Sequence, residues 1–386
     1  MRGLIALGLL AGASSAGADP FQLRADALAT TASPAGLLTL EADGALRANL
    51  SAEAVVWTGS AADQGHGEVL VMVLRARTDD GRASVRLGRF VESLGALRPV
   101  QVDGAAGRVR LPLLLDAEAY AGVPVTLGLT SARRWDWVVG GRVARRIGDA
   151  GSIGVAYMHQ RDSGQLATEE LGLDAGAELG RHDDLAAKLA YDLVNPGIAE
   201  VAITLSHRSK ALRTELYLGH RAASHLLPAT SLFSVLGDVP AERAGAVTTW
   251  RAAPRLELTG DLGVRRVDRD VSPDVIVRAR LRLDDRGASA LTAELRRDGV
   301  GSETWTGARG AARIALPRAL YVSTELELVI PDNDRGLGAA WPWALAALGR
   351  DDGTWQAAVA VEVSASPQDR RRVDVLAQLG RRWGTP

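Results

Sequence analysis

Apolar and polar residues take turns along this chain with a period of two. Over 255–265, Leu256, Leu258, Leu262 and Val264 share one face, and Arg255, Glu257, Thr259, Asp261 and Arg265 share the other. Over 274–284, Val275, Val277, Ala279, Leu281 and Leu283 oppose Arg278, Arg280 and Arg282. The pattern returns over 320–330, where Leu320, Val322, Leu326, Leu328 and Ile330 oppose Tyr321, Ser323, Glu325 and Glu327. It recurs over 184–193 and 372–379. This is the period of a strand with one apolar and one polar face; a helix would scatter the charges around its cylinder.

Turn residues punctuate the strands. Asp79-Asp80-Gly81, Gly148-Asp149-Ala150-Gly151, Asn195-Pro196-Gly197, Asp284-Asp285-Arg286-Gly287 and Asp351-Asp352-Gly353 all accept positive φ or preset a tight turn. Alternation and turn spacing together predict about 22 strands, within a range of roughly 16–22. The connections also alternate in length. Longer ones are expected at 59–68, 93–99, 128–136, 224–242, 267–274 and 331–339, with shorter ones between them at 78–82, 113–116, 148–151, 252–255, 284–287 and 350–354. A soluble sandwich has no reason to keep this parity, and the chain lacks the repeat a β-propeller would carry.

The first residues carry a separate signal. Arg2 precedes an apolar run over 3–11, and Ala16-Gly17-Ala18 has the form of a cleavage site. The expectation is a signal peptide over 1–18 and one domain over 19–386. No later stretch reaches 18 uncharged apolar residues, so no spanning helix is expected. Many strands with one charged face each cannot all enclose a dry core. A closed antiparallel up-and-down transmembrane β-barrel inverts the usual sense: apolar residues face lipid, charged ones line a wet lumen, and closure satisfies every backbone donor and acceptor. The fold class predicted is therefore all-β. With the first strand starting in the periplasm, the longer connections all fall outside. Trp135, Trp137, Trp250, Trp305, Trp341, Trp343, Trp355 and Trp383 lie near strand ends, where interface girdles sit.

Composition agrees. The 386 residues are 47% hydrophobic and 24% charged, which excludes a disordered chain. Mean hydropathy is +0.01, the average of two interleaved faces. With no cysteine there is neither a disulfide scaffold nor a lipidated N-terminus. The 45 basic against 46 acidic residues leave no positive field for nucleic acid, which is not an expected partner.

One segment carries a family resemblance. Val85-Arg86-Leu87-Gly88-Arg89-Phe90, a loop, and then Val102-Asp103-Gly104-Ala105 resemble the strand–loop–strand of large porins and alginate-export-type outer-membrane channels. There a strand ends in Gly-Arg and the returning strand carries Asp-Gly. The resemblance covers about 20 residues, and it implies an outer-membrane channel of a Gram-negative envelope. Such barrels end in an aromatic residue; here Trp383 takes that place with Gly384, Thr385 and Pro386 behind it.

The predicted inward faces carry both signs. Arg265, Arg278, Arg280, Arg282, Arg296, Arg309 and Arg313 fall on consecutive strands, with Glu294, Glu325 and Glu327 beside them. Two readings stand: a self-neutralising wall of cross-strand pairs, or an arginine ladder that favours anionic solutes. The connection over 225–242 is unusually apolar. Leu232, Phe233, Leu236 and Asp238 are the candidates for a constriction folded into the mouth; packing on the rim is the alternative.

Catalytic signals are poor. His66, His159, His182, His207, His220 and His225 lack metal-ligand spacing, and there is neither a G-x-S-x-G elbow nor a phosphate loop. No catalytic residue, cofactor or metal is expected. The expected partners are outer-membrane lipid, the barrel-assembly machinery during biogenesis, and small hydrophilic or anionic solutes or a saccharide polymer. The rival readings are a non-conducting docking barrel and a barrel enzyme with a site at its rim.

Overall fold

The computed structural model describes residues 22–31, 35–61, 64–125, 136–148, 150–222, 240–299, 304–333, 340–365 and 371–383. The expected signal segment and the constriction candidates Leu232, Phe233, Leu236 and Asp238 lie outside these residues.

Among the described residues there are 22 strands. They are β1 (Gln22–Thr30), β2 (Ala35–Arg47), β3 (Leu50–Ala61), β4 (Gln64–Arg77), β5 (Ala83–Glu92), β6 (Val100–Leu111), β7 (Leu115–Pro124), β8 (Trp137–Ile147), β9 (Gly151–Asp162), β10 (Gln165–Glu178) and β11 (Asp183–Asp192). Then follow β12 (Gly197–Arg208), β13 (Leu212–Arg221), β14 (Ala241–Ala253), β15 (Leu256–Val267), β16 (Asp270–Arg282), β17 (Ala290–Asp298), β18 (Trp305–Ala315), β19 (Leu320–Pro331), β20 (Trp341–Asp351), β21 (Trp355–Ser364) and β22 (Arg372–Trp383). Each pairs antiparallel with its sequence neighbours. β1 also pairs with β22, from Leu23 opposite Trp383 to Thr30 opposite Leu376, which closes the sheet into a barrel. Closure leaves no strand edge unpaired.

The register carries each face around the barrel. Arg243 stands opposite Arg265, Arg278 opposite Glu294, Glu294 opposite Arg309, and Arg309 opposite Glu327, so the charged positions share one face across six strands. The other face is apolar and uncovered: Leu262, Leu295, Leu326, Leu348 and Val359 are among its most exposed side chains. An apolar band of this extent is not one that water tolerates.

Tyrosines from the inner face lie across glycines of the next strand. A Cβ at Gly140 would fall 2.4 Å from the Tyr120 ring, and one at Gly349 would fall 2.4 Å from the Tyr321 ring. An aromatic ring over a strand glycine covers backbone that no side chain shields.

The parity of connections is as the alternation predicts, but the lengths are not. The six expected longer connections all lie at one rim. Two of them leave only two residues between strands, since Ala61 pairs with Gln64 and Val267 with Asp270. The opposite rim carries one seven-residue connection, 283–289. There Asp284 accepts from the Ala288 N–H at 3.0 Å and the Ser289 N–H at 2.5 Å. A hydrogen bond from the Ser289 side chain above all, and these two backbone bonds after it, hold its carboxyl below the usual range. We call the two ends the long-loop rim and the short-turn rim.

The tryptophan girdle needs a correction. Trp137, Trp250, Trp355 and Trp383 face outward near a rim, and Arg381 lies 4.6 Å from the Trp355 ring and 4.7 Å from the Trp383 ring. By register, Trp305, Trp341 and Trp343 face inward instead, with Arg296 over Trp305. Nearness to a strand end says nothing of face, which the residue's parity in the strand decides. Trp135 lies outside the described residues.

Candidate functional site: the constricted lumen

The connection between β5 and β6, residues 93–99, folds into the barrel. Leu94 is 2% exposed and Leu97 4%. They pack with Val73, Phe90, Val102, Tyr120, Val138 and Met158, which come from strands β4 to β9. One loop can meet so many strands only on the concave side, so this face is the interior. Burying each leucine contributes about 1.5–3 kcal/mol.

Sequence details seat this loop. Leu97 N–H donates to the Leu94 carbonyl at 3.0 Å, and Gly95 sits at φ +58° in the left-handed region. A Cβ there would fall 2.1 Å from Oδ1 of Asp174 on β10, so only glycine fits. Gly172 on β10 leaves room for Ala96 and Leu97. Arg98 then donates from Nε to Oε1 of Glu170 at 2.7 Å, and Glu170 is 0% exposed.

Around the loop, the inner wall of β5–β10 is ion-paired. Arg142 holds Asp174 through Nε at 2.9 Å and Nη2 at 2.5 Å, and reaches Glu118 at 3.4 Å. Arg86 pairs with Glu92. Arg146 and Arg110 approach Asp116 at 3.5 and 3.8 Å. This half of the barrel is covered and cross-linked.

The opposite half holds the ten sequence-predicted lumen residues, all on the inner face by register. Arg278, Arg280, Glu294, Arg309, Arg313 and Glu325 line one cavity of about 500 Å³. Glu294 accepts from Arg278 Nε and Arg296 Nη2, each at 2.7 Å. Arg309 pairs with Glu325 at 2.6 Å, and Arg265 with Asp274 at 3.0 Å and Asp298 at 3.2 Å. The Arg313 guanidinium lies 3.7 Å from the Tyr321 ring centroid, a cation–π contact. Glu327 stands between Arg309 and Trp343 in register. Arg280 and Arg282 have no acidic partner within ion-pair distance among the described residues. Most of this wall is therefore self-neutralising, with an unpaired basic stretch toward the short-turn rim.

Sequence reasoning missed the inward fold of 93–99, treating it as one more outer loop. Its run Leu94-Gly95-Ala96-Leu97, short and apolar between charged strands, is the signal that could have found it. Arg89 and Asp103 of the resemblance segment do meet, through two hydrogen bonds of 2.7 Å, on the outer face at the base of that loop.

No family model and no curated protein matches this sequence. Solved structures do. The translocation pore of the P pilus usher PapC matches with a TM-score of 0.52 at 8% identity, over 95% of this chain and 99% of that one. PapC in an Escherichia coli P pilus tip assembly intermediate with PapD, PapK and PapG matches at 0.53 and 10% identity, over 96% of this chain and 62% of that one. The Pseudomonas aeruginosa outer membrane protein opdK matches more loosely, at 0.41 and 9%, over 95% and 98%. At these identities the likeness is one of fold: the chain has the architecture of large outer-membrane barrels, as its resemblance to large porins implies.

Proposed function

We propose that this protein is an outer-membrane channel of a Gram-negative bacterium, exported by a cleaved signal peptide, that passes small hydrophilic solutes or a saccharide polymer through a charged, laterally constricted lumen. The observation that supports this most is the division of the interior. One half is filled by 93–99 and its apolar cluster, while the other keeps half-exposed arginines such as Arg278 and Arg309 in a water-accessible cavity. Interior width grows with strand number, and 22 strands leave room beside a seven-residue loop. The apolar outer face fits lipid. The reading includes no catalytic chemistry.

A second reading, a non-conducting docking barrel, draws on the same inward loop and on the likeness to the P pilus usher translocation pore. Planar-bilayer recording of the refolded barrel separates them. Discrete current steps in potassium chloride are expected; a barrel with heat-shifted gel mobility that gives no current would exclude the channel.

A further inference from the structure

At the short-turn rim, five arginines converge on one small cavity. Arg251 lies in the last residues of β14, Arg255 belongs to the turn before β15, Arg280 and Arg282 lie at the end of β16, and Arg286 comes from the connection 283–289. They line a space of about 280 Å³ together with Glu257. Arg255 is occupied by Asp285 at 2.6 Å, and Arg282 is oriented by the Pro254 carbonyl at 2.5 Å. Arg251, Arg280, Arg282 and Arg286 have no ion-pair partner among the described residues, and Glu257 stands opposite both Arg251 and Arg280 without reaching either.

This arrangement differs from the wall beside it. Along the same inner face, Arg265, Arg278, Arg296 and Arg309 are each met by a carboxylate. A wall built only to be wet and rigid would pair its arginines throughout, since like charges at close range repel. Four unpaired guanidinium groups against one carboxylate leave a strong local excess of positive charge. Guanidinium presents forked donors that match tetrahedral oxyanions, and in a recessed space it is weakly hydrated. The space holds several water-sized groups but no large solute.

We infer that this cavity is a binding site for a phosphate-type oxyanion, either inorganic phosphate or the phosphoryl group of a small soluble monoester. The site adjoins the larger lumen cavity through Arg280, so a bound anion lies at the short-turn mouth of the barrel. The inference goes beyond the channel reading and does not require conduction.

The test is calorimetric titration of the full refolded barrel in micelles, first with inorganic phosphate and then with glycerol phosphate, against sodium chloride of equal ionic strength. Saturable binding of phosphate is expected, and the monoester arm tells the free ion from a phosphoryl group. The triple variant R251Q/R280Q/R282Q should weaken binding by about tenfold or more. Glu257→Gln should tighten it severalfold, and Arg82→Gln, in the turn between β4 and β5 on the far side of the barrel, should leave it within about twofold. Heat-shifted mobility certifies that each variant is folded. No binding of either phosphate to the wild type, chloride competing equally at equal ionic strength, or a folded triple variant that binds as tightly as wild type overturns the site. A barrel that binds phosphate but carries no current sinks the channel reading alone.

Discussion

Arg98 and Glu170, 72 positions apart in sequence, meet inside the barrel in an ion pair that solvent does not reach on the carboxylate side. The pair fixes the far end of 93–99 to β10, and Gly95 against Asp174 fixes its tip. Breaking such a pair on one side leaves an enclosed, uncompensated charge, at about 3–5 kcal/mol. Arg98→Gln should therefore lower the temperature of heat-induced mobility shift. The double variant R98M/E170M should recover most of that loss, since an apolar pair of similar volume needs no compensation. Equal melting of wild type and Arg98→Gln would show that the pair holds nothing.

The loop narrows the interior on the side of β4 to β10. Replacing 94–98 by two glycines should raise single-channel conductance severalfold, while removal of 229–236 tests the other candidate constriction. If only the second deletion changes conductance, the inward fold of 93–99 is not the narrowing that matters.

The fold was legible because a barrel repeats one local rule. Each of Leu262, Val264, Val277 and Leu326 declares its face by parity with its neighbours, and closure follows from there being no edge to leave exposed. The shared inward parity of the ten charged lumen candidates is readable for the same reason. What parity cannot give is a contact between distant strands. Leu94 packs on β9, and Arg98 finds Glu170 on β10, only because the barrel's curvature turns β9 and β10 toward the loop that follows β5. Nothing in 93–99 alone names those partners. The run over 225–242 is longer and carries the stronger local apolar signal. The same limit hid the five-arginine cavity, which joins two turns and two strand ends.

Selectivity offers a third test. Glu294 neutralises both Arg278 and Arg296. Glu294→Gln frees two guanidinium groups toward the lumen and should shift the reversal potential in a salt gradient toward anions. The shift should shrink as salt rises, because wet lumen charges are screened over about 10 Å at 0.1 M. An unchanged reversal potential at low salt would place Glu294 off the conduction path.

At the long-loop rim, Asp332 ties the connection after β19 to β17 and to Thr304. It accepts from Arg297 Nη1 at 2.5 Å and from the Thr304 hydroxyl. These bonds, the arginine's first, hold its carboxyl down to about 2, against an ordinary value of 3.8. A carboxyl whose pKa falls on folding adds stability above its unfolded value and loses it as pH falls through the folded one. The tie should therefore be complete at neutral pH, persist at about pH 3 where a free aspartate is mostly protonated, and fail near pH 2. Carboxyl-carbon NMR of aspartate-labelled barrel in micelles reads this midpoint directly. Arg297→Gln should return it most of the way to the ordinary value, and Thr304→Ala part of the way. A midpoint already at the ordinary value in the wild type would mean that Arg297 does not hold the rim in solution.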